Sequence, residues 1–327
     1  MSVEATFELR LLAAFLILVP VLIGLVMQAL LAFILYKGWK TFGQNSFYLI
    51  TVQLMWCDVC ALALDLYVAF PLTLTGVQYM GDSIPLYYGP LFFEGIAFNG
   101  MFVLSFFLTT NRFLLFIFPT LHAKIFTTRG TKIMSLLVWI YIFLFIALSN
   151  MFGCTKQFSK EYFYFWYNCS NRVPGKFHYF DFMNMESYAI PCAMVFMYAV
   201  IYVKLRLLYG SMKNDITRIK QEVKYLVQTV LISLLIAVEV AAFITLPFLN
   251  ASGYTQFYLN ILLNLVIVTT NLVTPIVLFS FNWEVRSYLK QALCSRRGTT
   301  GQSTSLSVIY IKGSKSLCRY SLFHCIK

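Results

Sequence analysis

Long apolar runs that carry no formal charge are the feature that most constrains how this chain can fold. The first of them, Leu11–Tyr36, extends over 26 residues, and a helix needs only about 20 residues to cross the hydrocarbon core of a bilayer. Backbone groups inside lipid must satisfy their own hydrogen bonds, which runs of this length achieve as helices. The sequence therefore predicts an all-α membrane protein, a rhodopsin-like seven-transmembrane helix bundle over residues 11–281. The six further runs are Phe47–Leu74, Leu91–Phe118, Ile133–Phe152, Phe182–Tyr209, Tyr225–Leu249 and Phe257–Phe281.

The overall composition excludes an ordinary water-soluble domain. Only 12% of the residues are charged, whereas soluble domains carry about 25%. The formal charge of +12 would suit nucleic acid, but the basic residues lie in alternate loops rather than in a stripe on a soluble domain. We therefore predict no nucleic-acid partner. Glu4 and Glu8 precede the first run where a signal peptide would be basic, so residues 1–10 are expected to form a short, uncleaved N-terminal segment.

The distribution of lysine and arginine predicts the orientation of the bundle. With the N-terminus outside, 20 of the 25 lysine and arginine residues fall in the inner loops and the C-terminal tail. Such a bias follows the positive-inside rule. It predicts a multi-pass protein with an extracellular N-terminus, and it contradicts the inverted orientation of insect-type odorant channels. The five basic residues left outside are Arg10, Lys156, Lys160, Arg172 and Lys176.

Two further features of the predicted outer loops agree with this orientation. The N-x-S/T sequons of the chain begin at Asn168 and Asn250, and both lie in outer loops, where we expect glycosylation. Cys154 and Cys169 are the two cysteines assigned to that side, and a disulfide between them suits an oxidising compartment.

An arginine stands at the predicted inner end of the third helix, in the sequence Asn111-Arg112-Phe113. An arginine at such a place either snorkels to the interface or finds partners in the bundle. Its position resembles the arginine motif of rhodopsin-like receptors, which implies that Asn111 and Arg112 couple the bundle to a heterotrimeric G protein. Arg218 and Lys220 lie in the basic third inner loop, which either binds anionic lipid or lines the groove for a G-protein helix.

The order and spacing of several short motifs resemble those of nematode serpentine chemoreceptors, class X in particular. The resemblance implies a G-protein-coupled receptor for a small molecule, with arrestin and a receptor kinase as regulators, and with the plasma membrane, including a sensory cilium, as its location. It implies neither a cofactor nor an enzymatic activity. The motifs are Asn45-Ser46-Phe47 with Gln53 and Asp58, Asn111-Arg112-Phe113, Trp166 between Cys154 and Cys169, Tyr179–Phe182, and Phe281-Asn282 with Glu284 and Arg286.

The sequence departs from the rhodopsin-like pattern at three places. Asn111 stands where an acid usually precedes the motif arginine, and Thr274-Pro275 with Leu278 replaces the Asn-Pro-x-x-Tyr motif. No cysteine lies near the outer end of the third helix, so the Cys154–Cys169 bond would replace the usual tether. These departures leave open a coupling-deficient protein that acts in trafficking, and a neuropeptide receptor is the other alternative.

Carboxylates inside the predicted spans are candidate functional residues, because each costs at least ~2.5 kcal/mol at the bilayer centre unless it is paired, solvated or protonated. By resemblance, Asp58 belongs to an internal polar network, in which Asn271 is the second member. Glu94 precedes Arg112 by eighteen residues, about 27 Å along a helix, where amine receptors place their ligand-pairing acid. We name Glu94, Asp65 and Phe98 as ligand-binding candidates; the alternative is a neutral or hydrogen-bonded interior glutamate. The remaining interior acids are Glu186 and Glu239.

The C-terminal part of the chain predicts a regulatory region. Residues 282–293 are expected to form an amphipathic helix at the membrane surface, and Cys294 beside two arginines is a candidate for palmitoylation. Residues 294–327 are rich in serine and threonine and are expected to form a disordered tail. An enzyme is not expected, because the two aspartates share one span and the three histidines lie outside the spans. For the same reason we predict no metal site.

Overall fold

The computed structural model describes residues 5–169, 178–209, 226–227, 229–239, 241–242 and 253–295. In these residues, six helices are long and apolar enough to cross a membrane, and a shorter apolar helix lies at the sixth predicted run. The seven-helix, all-α bundle is confirmed. The helices are α1 Phe7–Lys37, α2 Ser46–Thr75, α3 Ile84–Ile117, α4 Thr128–Met151, α5 Tyr179–Tyr209, α6 Thr229–Glu239, α7 Tyr254–Phe281 and α8 Trp283–Ser295.

Two of the spanning helices contain a widened π-helical turn, at Asp65–Ala69 in α2 and at Ile84–Tyr88 at the start of α3. The turn in α2 immediately precedes Phe70-Pro71. A proline has no N–H to donate and its ring crowds the carbonyl four residues earlier, so a widened turn relieves the clash. The turn starts at Asp65, one of the ligand-binding candidates.

Helix α3 lies at the centre of the bundle. It packs against α2, α4 and α5, whereas α1 packs against α2 and α7. Of the most apolar 18-residue window of each helix, 78% is buried in α3 but only 28% in α4 and 22% in α5. The side chains of α3 therefore meet other protein groups on nearly every face, and those of α4 and α5 face lipid on most of theirs.

The loop between α4 and α5 forms a β-hairpin that the sequence analysis did not predict. Strands β1, Cys154–Ser159, and β2, Tyr164–Cys169, pair antiparallel with Cys154 opposite Cys169. The predicted disulfide joins these two residues and is confirmed. In β1, Lys156 and Phe158 are buried and their neighbours are half-buried, so one face of the hairpin packs on the bundle.

The turn of the hairpin inserts into the bundle between α1 and α7. Phe163 adopts a left-handed backbone conformation with φ of 62°, which is uncommon for a residue other than glycine. Its side chain is fully buried among residues that include Ala13 and Phe257. The Asn264 amide donates a hydrogen bond to the Phe163 carbonyl, and the Arg10 guanidinium donates to the Lys160 carbonyl at 3.0 Å. The hairpin therefore closes one end of the bundle, which we call the hairpin side.

The opposite end, which we call the arginine side, contains the Arg112 end of α3 and two short helices. The first is Trp39–Phe42; the second, Pro119–Ile125, connects α3 to α4 and is called the linker helix. Asn282 caps α8 by accepting a hydrogen bond from the Val285 N–H at 3.1 Å.

Candidate functional site

A buried ion pair joins the hairpin to the third helix. The Lys156 ammonium group of β1 contacts the Glu94 carboxylate of α3, and both side chains are only 6% exposed. Burying one such charge without a partner would cost several kcal/mol. Glu94, the acid predicted to pair with a cationic ligand, thus pairs with a lysine of the same chain. This ion pair was not predicted from the sequence.

Three aromatic rings surround the Lys156 ammonium. Its nitrogen lies 4.0 Å from the centre of the Phe98 ring, and 5.6 and 5.5 Å from those of Phe165 and Tyr167. A ring face attracts a cation within about 6 Å. Phe98 was predicted to contact a ligand, and here it contacts the internal cation.

Two more buried carboxylates lie on other helices of the bundle. Asp65 is 6% exposed, and within the described residues its Oδ2 atom has no hydrogen-bond partner. Glu239 of α6 is 1% exposed. With Glu94 and Asp58, four acids are buried in the described part of the bundle against two bases, Lys156 and Arg112. This is a surplus of acidic groups that a cationic ligand or protonation would offset.

The predicted internal polar network is assembled around Gln28 of α1. The Gln28 amide nitrogen donates to the Asp58 carboxylate and to the Asn271 carbonyl, both at 3.0 Å. The Thr274 side chain also hydrogen-bonds Asp58. Asn271 therefore contributes through its backbone. Gln28, the residue that links α1, α2 and α7, was missed because one glutamine in an apolar run gives no pattern to detect.

The arginine side brings three consecutive residues of α2 into contact with the rest of the chain. Asn45 caps α2 by accepting a hydrogen bond from the Phe47 N–H at 2.9 Å. Ser46 accepts one from the Asn111 amide at 3.0 Å. The Arg112 guanidinium carbon lies 4.6 Å from the centre of the Phe47 ring. Each residue of the Asn45-Ser46-Phe47 motif thus has a separate structural task.

The linker helix contacts the same group of residues through His122. Its Nε2 atom lies 3.2 Å from the Asn111 amide nitrogen and accepts a hydrogen bond when the ring is neutral. The ring stacks on Phe126 at 5.2 Å. Partial burial and the nearby Arg112 charge lower the pKa of His122 below its usual 6.5. The neutral imidazole is therefore favoured at neutral pH, as the hydrogen bond to Asn111 requires.

The motif that follows the seventh helix joins the same end of α2. The Tyr48 hydroxyl donates to the Glu284 carboxylate at 2.7 Å, and the Asn282 amide donates to the Tyr48 oxygen at 2.9 Å. Three of the short motifs, which begin at Asn45, Asn111 and Phe281 and are far apart in the sequence, thus meet at the arginine side. The chain matches the family described as serpentine type 7TM GPCR chemoreceptor Srx over residues 18–282. It belongs to this family of G-protein-coupled chemoreceptors.

This family is a receptor family and not an enzyme family, and membership identifies the chain as a multi-pass membrane receptor. The suspected class X relationship is confirmed. A search among curated proteins finds no significant match for the receptor.

A second polar contact in the receptor joins the third, fifth and sixth helices. The Thr109 hydroxyl lies 3.0 Å from the Tyr198 hydroxyl, which lies 3.1 Å from the Ser233 hydroxyl. Thr109 and Arg112 are one turn apart on α3, so this network adjoins the arginine. Isolated hydroxyl residues in apolar helices carry no spacing signal, so the contacts among Thr109, Tyr198 and Ser233 could not be predicted from the sequence.

Several of the residues predicted to be functional lie outside the part of the receptor that the structure describes. Arg218, Lys220 and Asn250 lie outside the described residues, as does the Cys294 side chain. Asn168 is placed near the end of β2, opposite Thr155 and beside the disulfide. Within the described part of the chain, no group of three metal-ligating side chains comes together.

Proposed function

We propose that this receptor binds a small molecule within the bundle and transmits binding to a heterotrimeric G protein. The hairpin side then faces the cell exterior and the arginine side the cytoplasm, in the plasma membrane and specifically in a sensory cilium. The 20 basic residues assigned inside support this orientation, as does the disulfide on the opposite side. Asn168 and Asn250 are the proposed glycosylation sites.

The observation that carries the proposal is the arrangement of Arg112. The side chain is 3% exposed, although an arginine at a helix end could reach the interface. It lies instead against Phe47 of α2, next to Asn111, which binds both α2 and the linker helix. A movement of α3 relative to α2 would therefore release Arg112 and Asn111 together at the surface proposed to meet the G protein.

The ligand-binding candidates also fit this proposal, in a modified form. A cationic ligand at Glu94 would have to displace Lys156 or share the acids with it, because the ion pair already occupies the carboxylate. We propose that Glu94, Asp65 and Phe98 respond to the ligand through Lys156. Binding then changes how the hairpin packs on α3, and Arg112 lies near the opposite end of that helix.

The remaining partners are proposed from the family resemblance. Arrestin and a receptor kinase would act on the tail at 294–327, with Cys294 palmitoylated and α8 lying on membrane lipid. Arg218 and Lys220 would line the G-protein groove. The Asp58, Gln28 and Asn271 network would hold α1, α2 and α7 together during the change.

The decisive experiment expresses the full chain in a G-protein reporter cell and applies a panel of small volatile and water-soluble chemicals. Arg112→Ala is expected to abolish both basal and evoked signals at unchanged surface amount. Arg206→Ala is the matched control, because Arg206 lies on the same side and contacts Tyr202 of its own helix. Equal signals from the Arg112→Ala variant and the wild type, or no Arg112-dependent signal at all, would contradict G-protein coupling.

The orientation has a separate test. N-glycosidase should increase the gel mobility of the wild-type chain, and Asn168→Gln should remove part or all of that shift. A chain whose mobility does not change with the enzyme would contradict the glycosylation proposal.

A further inference from the structure

A small cavity lies where α3, α4 and α5 meet beneath the hairpin. Its volume is about 40 Å³, and we call it the seam cavity. It is distinct from the Glu94–Lys156 pair, although Phe98 and Tyr167 border both. The lining residues that matter here are Phe98, Asn99, Phe145, Tyr167, Glu186 and Ile190.

The side chain of Asn99, at the seam cavity, is only partly hydrogen-bonded within the described part of the chain. The Glu186 carboxylate already accepts two hydrogen bonds, from the Tyr141 hydroxyl at 2.6 Å and from the Asn99 amide nitrogen at 3.2 Å. The second contact orients the Asn99 amide, because only its nitrogen can donate. Its Oδ1 atom is buried and has no hydrogen-bond partner among the described residues. A buried carbonyl left unpaired is costly, so the cavity is built to receive a hydrogen-bond donor.

The seam cavity borders the lipid-facing surface between α4 and α5. These two helices pack on α3, and Tyr141, which bridges them through Glu186, is 41% exposed. The neighbouring side chains of Leu144 and Tyr188 are 51% and 49% exposed. The hairpin covers the other approach, because Lys156 and Tyr167 both lie above α3. The side of the cavity between α4 and α5 therefore faces the bilayer.

The volume of the seam cavity limits what fits inside. Drug-sized ligands occupy pockets of roughly 300–1,000 Å³, whereas a single water needs about 10–15 Å³. The cavity holds a polar head group of a few atoms, and a longer body must extend out between α4 and α5. Because lipid surrounds that body, it has to be apolar.

We infer that the seam cavity binds an uncharged, lipid-soluble molecule whose small head group donates a hydrogen bond to Asn99, with its alkyl chain between α4 and α5. An alcohol or a primary amide has this chemistry. A charged head group is disfavoured because the molecule must reach the cavity through the bilayer. The inference rests on the proposed receptor function only for its signalling role; the binding itself is independent of the G protein.

The test uses the full-length receptor in nanodiscs without G protein and a photoreactive probe, an eight-carbon primary alcohol with a diazirine on its chain. Light should attach the probe to residues of α4 and α5 near Phe145 and Ile190, and excess 1-octanol should displace it. The methyl ether of 1-octanol has the same chain but no donor. It should displace the probe about tenfold less well, as expected for one lost hydrogen bond.

Labelling of variants and displacement by competing molecules distinguish specific binding in the seam cavity from non-specific labelling. Asn99→Leu should weaken displaceable labelling about tenfold, whereas Asn260→Leu, which removes a buried asparagine of α7 away from the cavity, should leave it unchanged. Equal displacement by the ether, labelling unaffected by Asn99→Leu, stronger displacement by 1-octylamine, or no displaceable label would each overturn the inference. Arg112→Ala should keep the labelling, so unchanged signalling of this variant with intact labelling would contradict the proposed function alone.

Discussion

The hairpin side and the arginine side hold the same helices together with different chemistry. On the hairpin side, a disulfide joins the two strands, and a buried ion pair and a hydrogen bond from the Asn264 side-chain amide to the Phe163 carbonyl fasten the hairpin to the bundle. On the arginine side, the contacts of Asn111 are neutral hydrogen bonds, and Arg112 lies against a ring. The disulfide and the Glu94–Lys156 ion pair therefore both lie on the hairpin side.

This difference between the contacts on the two sides indicates where the receptor can change shape at a low cost in free energy. A neutral hydrogen bond contributes only about 1 kcal/mol net, and an aromatic ring stabilises a cation by about 0.5–2 kcal/mol. Breaking a buried ion pair by removing one partner costs about 3–5 kcal/mol. An acid in place of Asn111 would have added a charged contact next to Arg112. The hydrogen bonds that Asn111 makes are neutral and cost less to break.

The largest effect is expected from Lys156→Met. The substitution leaves the Glu94 carboxylate buried without its cation, so the free energy of unfolding should fall by about 3–5 kcal/mol. Thermal unfolding of the detergent-solubilised receptor measures the change. The double variant Lys156→Met with Glu94→Gln should recover most of the loss. A single variant as stable as the wild type would mean that the hairpin side does not depend on this ion pair.

A smaller effect is expected from breaking the disulfide. Cys154 and Cys169 are 15 residues apart, and closing a loop of that length stabilises a fold by about 3 kcal/mol. Cys154→Ser and Cys169→Ser should each lower the unfolding temperature, and a reducing agent should affect the wild type but neither variant. Cys192→Ser, at an exposed free cysteine, is the control and should not change the unfolding temperature.

Asn111→Leu tests the neutral hydrogen bonds on the arginine side. It removes the hydrogen bonds to Ser46 and His122, so we expect a loss of about 1–2 kcal/mol in the free energy of unfolding and a higher basal signal in the reporter cell. Asn150→Leu removes an asparagine whose amide binds within α4 and should leave the basal signal unchanged. A loss as large as that of Lys156→Met would remove the contrast between the two sides.

The smallest effect is a pH dependence at His122. Its pKa is lowered in the folded chain by partial burial and by Arg112, so the unfolded chain binds a proton at a higher pH than the folded one. The stabilisation is complete above pH 6.5 and is lost as the pH falls below that value. Between pH 7.5 and 5.5, the unfolding temperature of the wild type should fall more than that of His122→Gln. If the unfolding temperatures of the wild type and of His122→Gln fall in parallel with pH, this histidine contributes nothing to the pH dependence. His178→Gln is the control and should behave like the wild type.

The helices could be predicted because each run, such as Leu11–Tyr36, is long enough to cross lipid without help from its neighbours. The Cys154–Cys169 bond was predictable from the compartment assigned to each cysteine. The hairpin was missed because Lys156, a charged residue, occupies one of the buried positions of β1. The stretch Cys154–Ser159 therefore shows no alternation of apolar and polar residues in the sequence.

The interior contacts were the least predictable part of the site. Glu94 and Asp58 could be named because a carboxylate in an apolar run is conspicuous. Their partners, Lys156 and Gln28, lie 62 residues later and 30 residues earlier in the chain, and only the packing of the helices brings them together. For Glu94 the sequence left two alternatives, a cationic ligand or a neutral or hydrogen-bonded interior glutamate. Neither was an ion pair with Lys156, because nothing in the sequence of the loop indicates that this lysine packs inside the bundle.

The central position of α3 has a consequence for how this receptor tolerates insertions. A helix turns by about 100° per residue, so one residue inserted before Glu94 would rotate every later side chain of α3 by that angle. Glu94 would leave Lys156, Asn99 would leave Glu186, and Asn111 would leave Ser46 in a single step. The same insertion in α4, which faces lipid on most sides, would move few such contacts. Length changes in a diverging family should therefore accumulate outside the third helix.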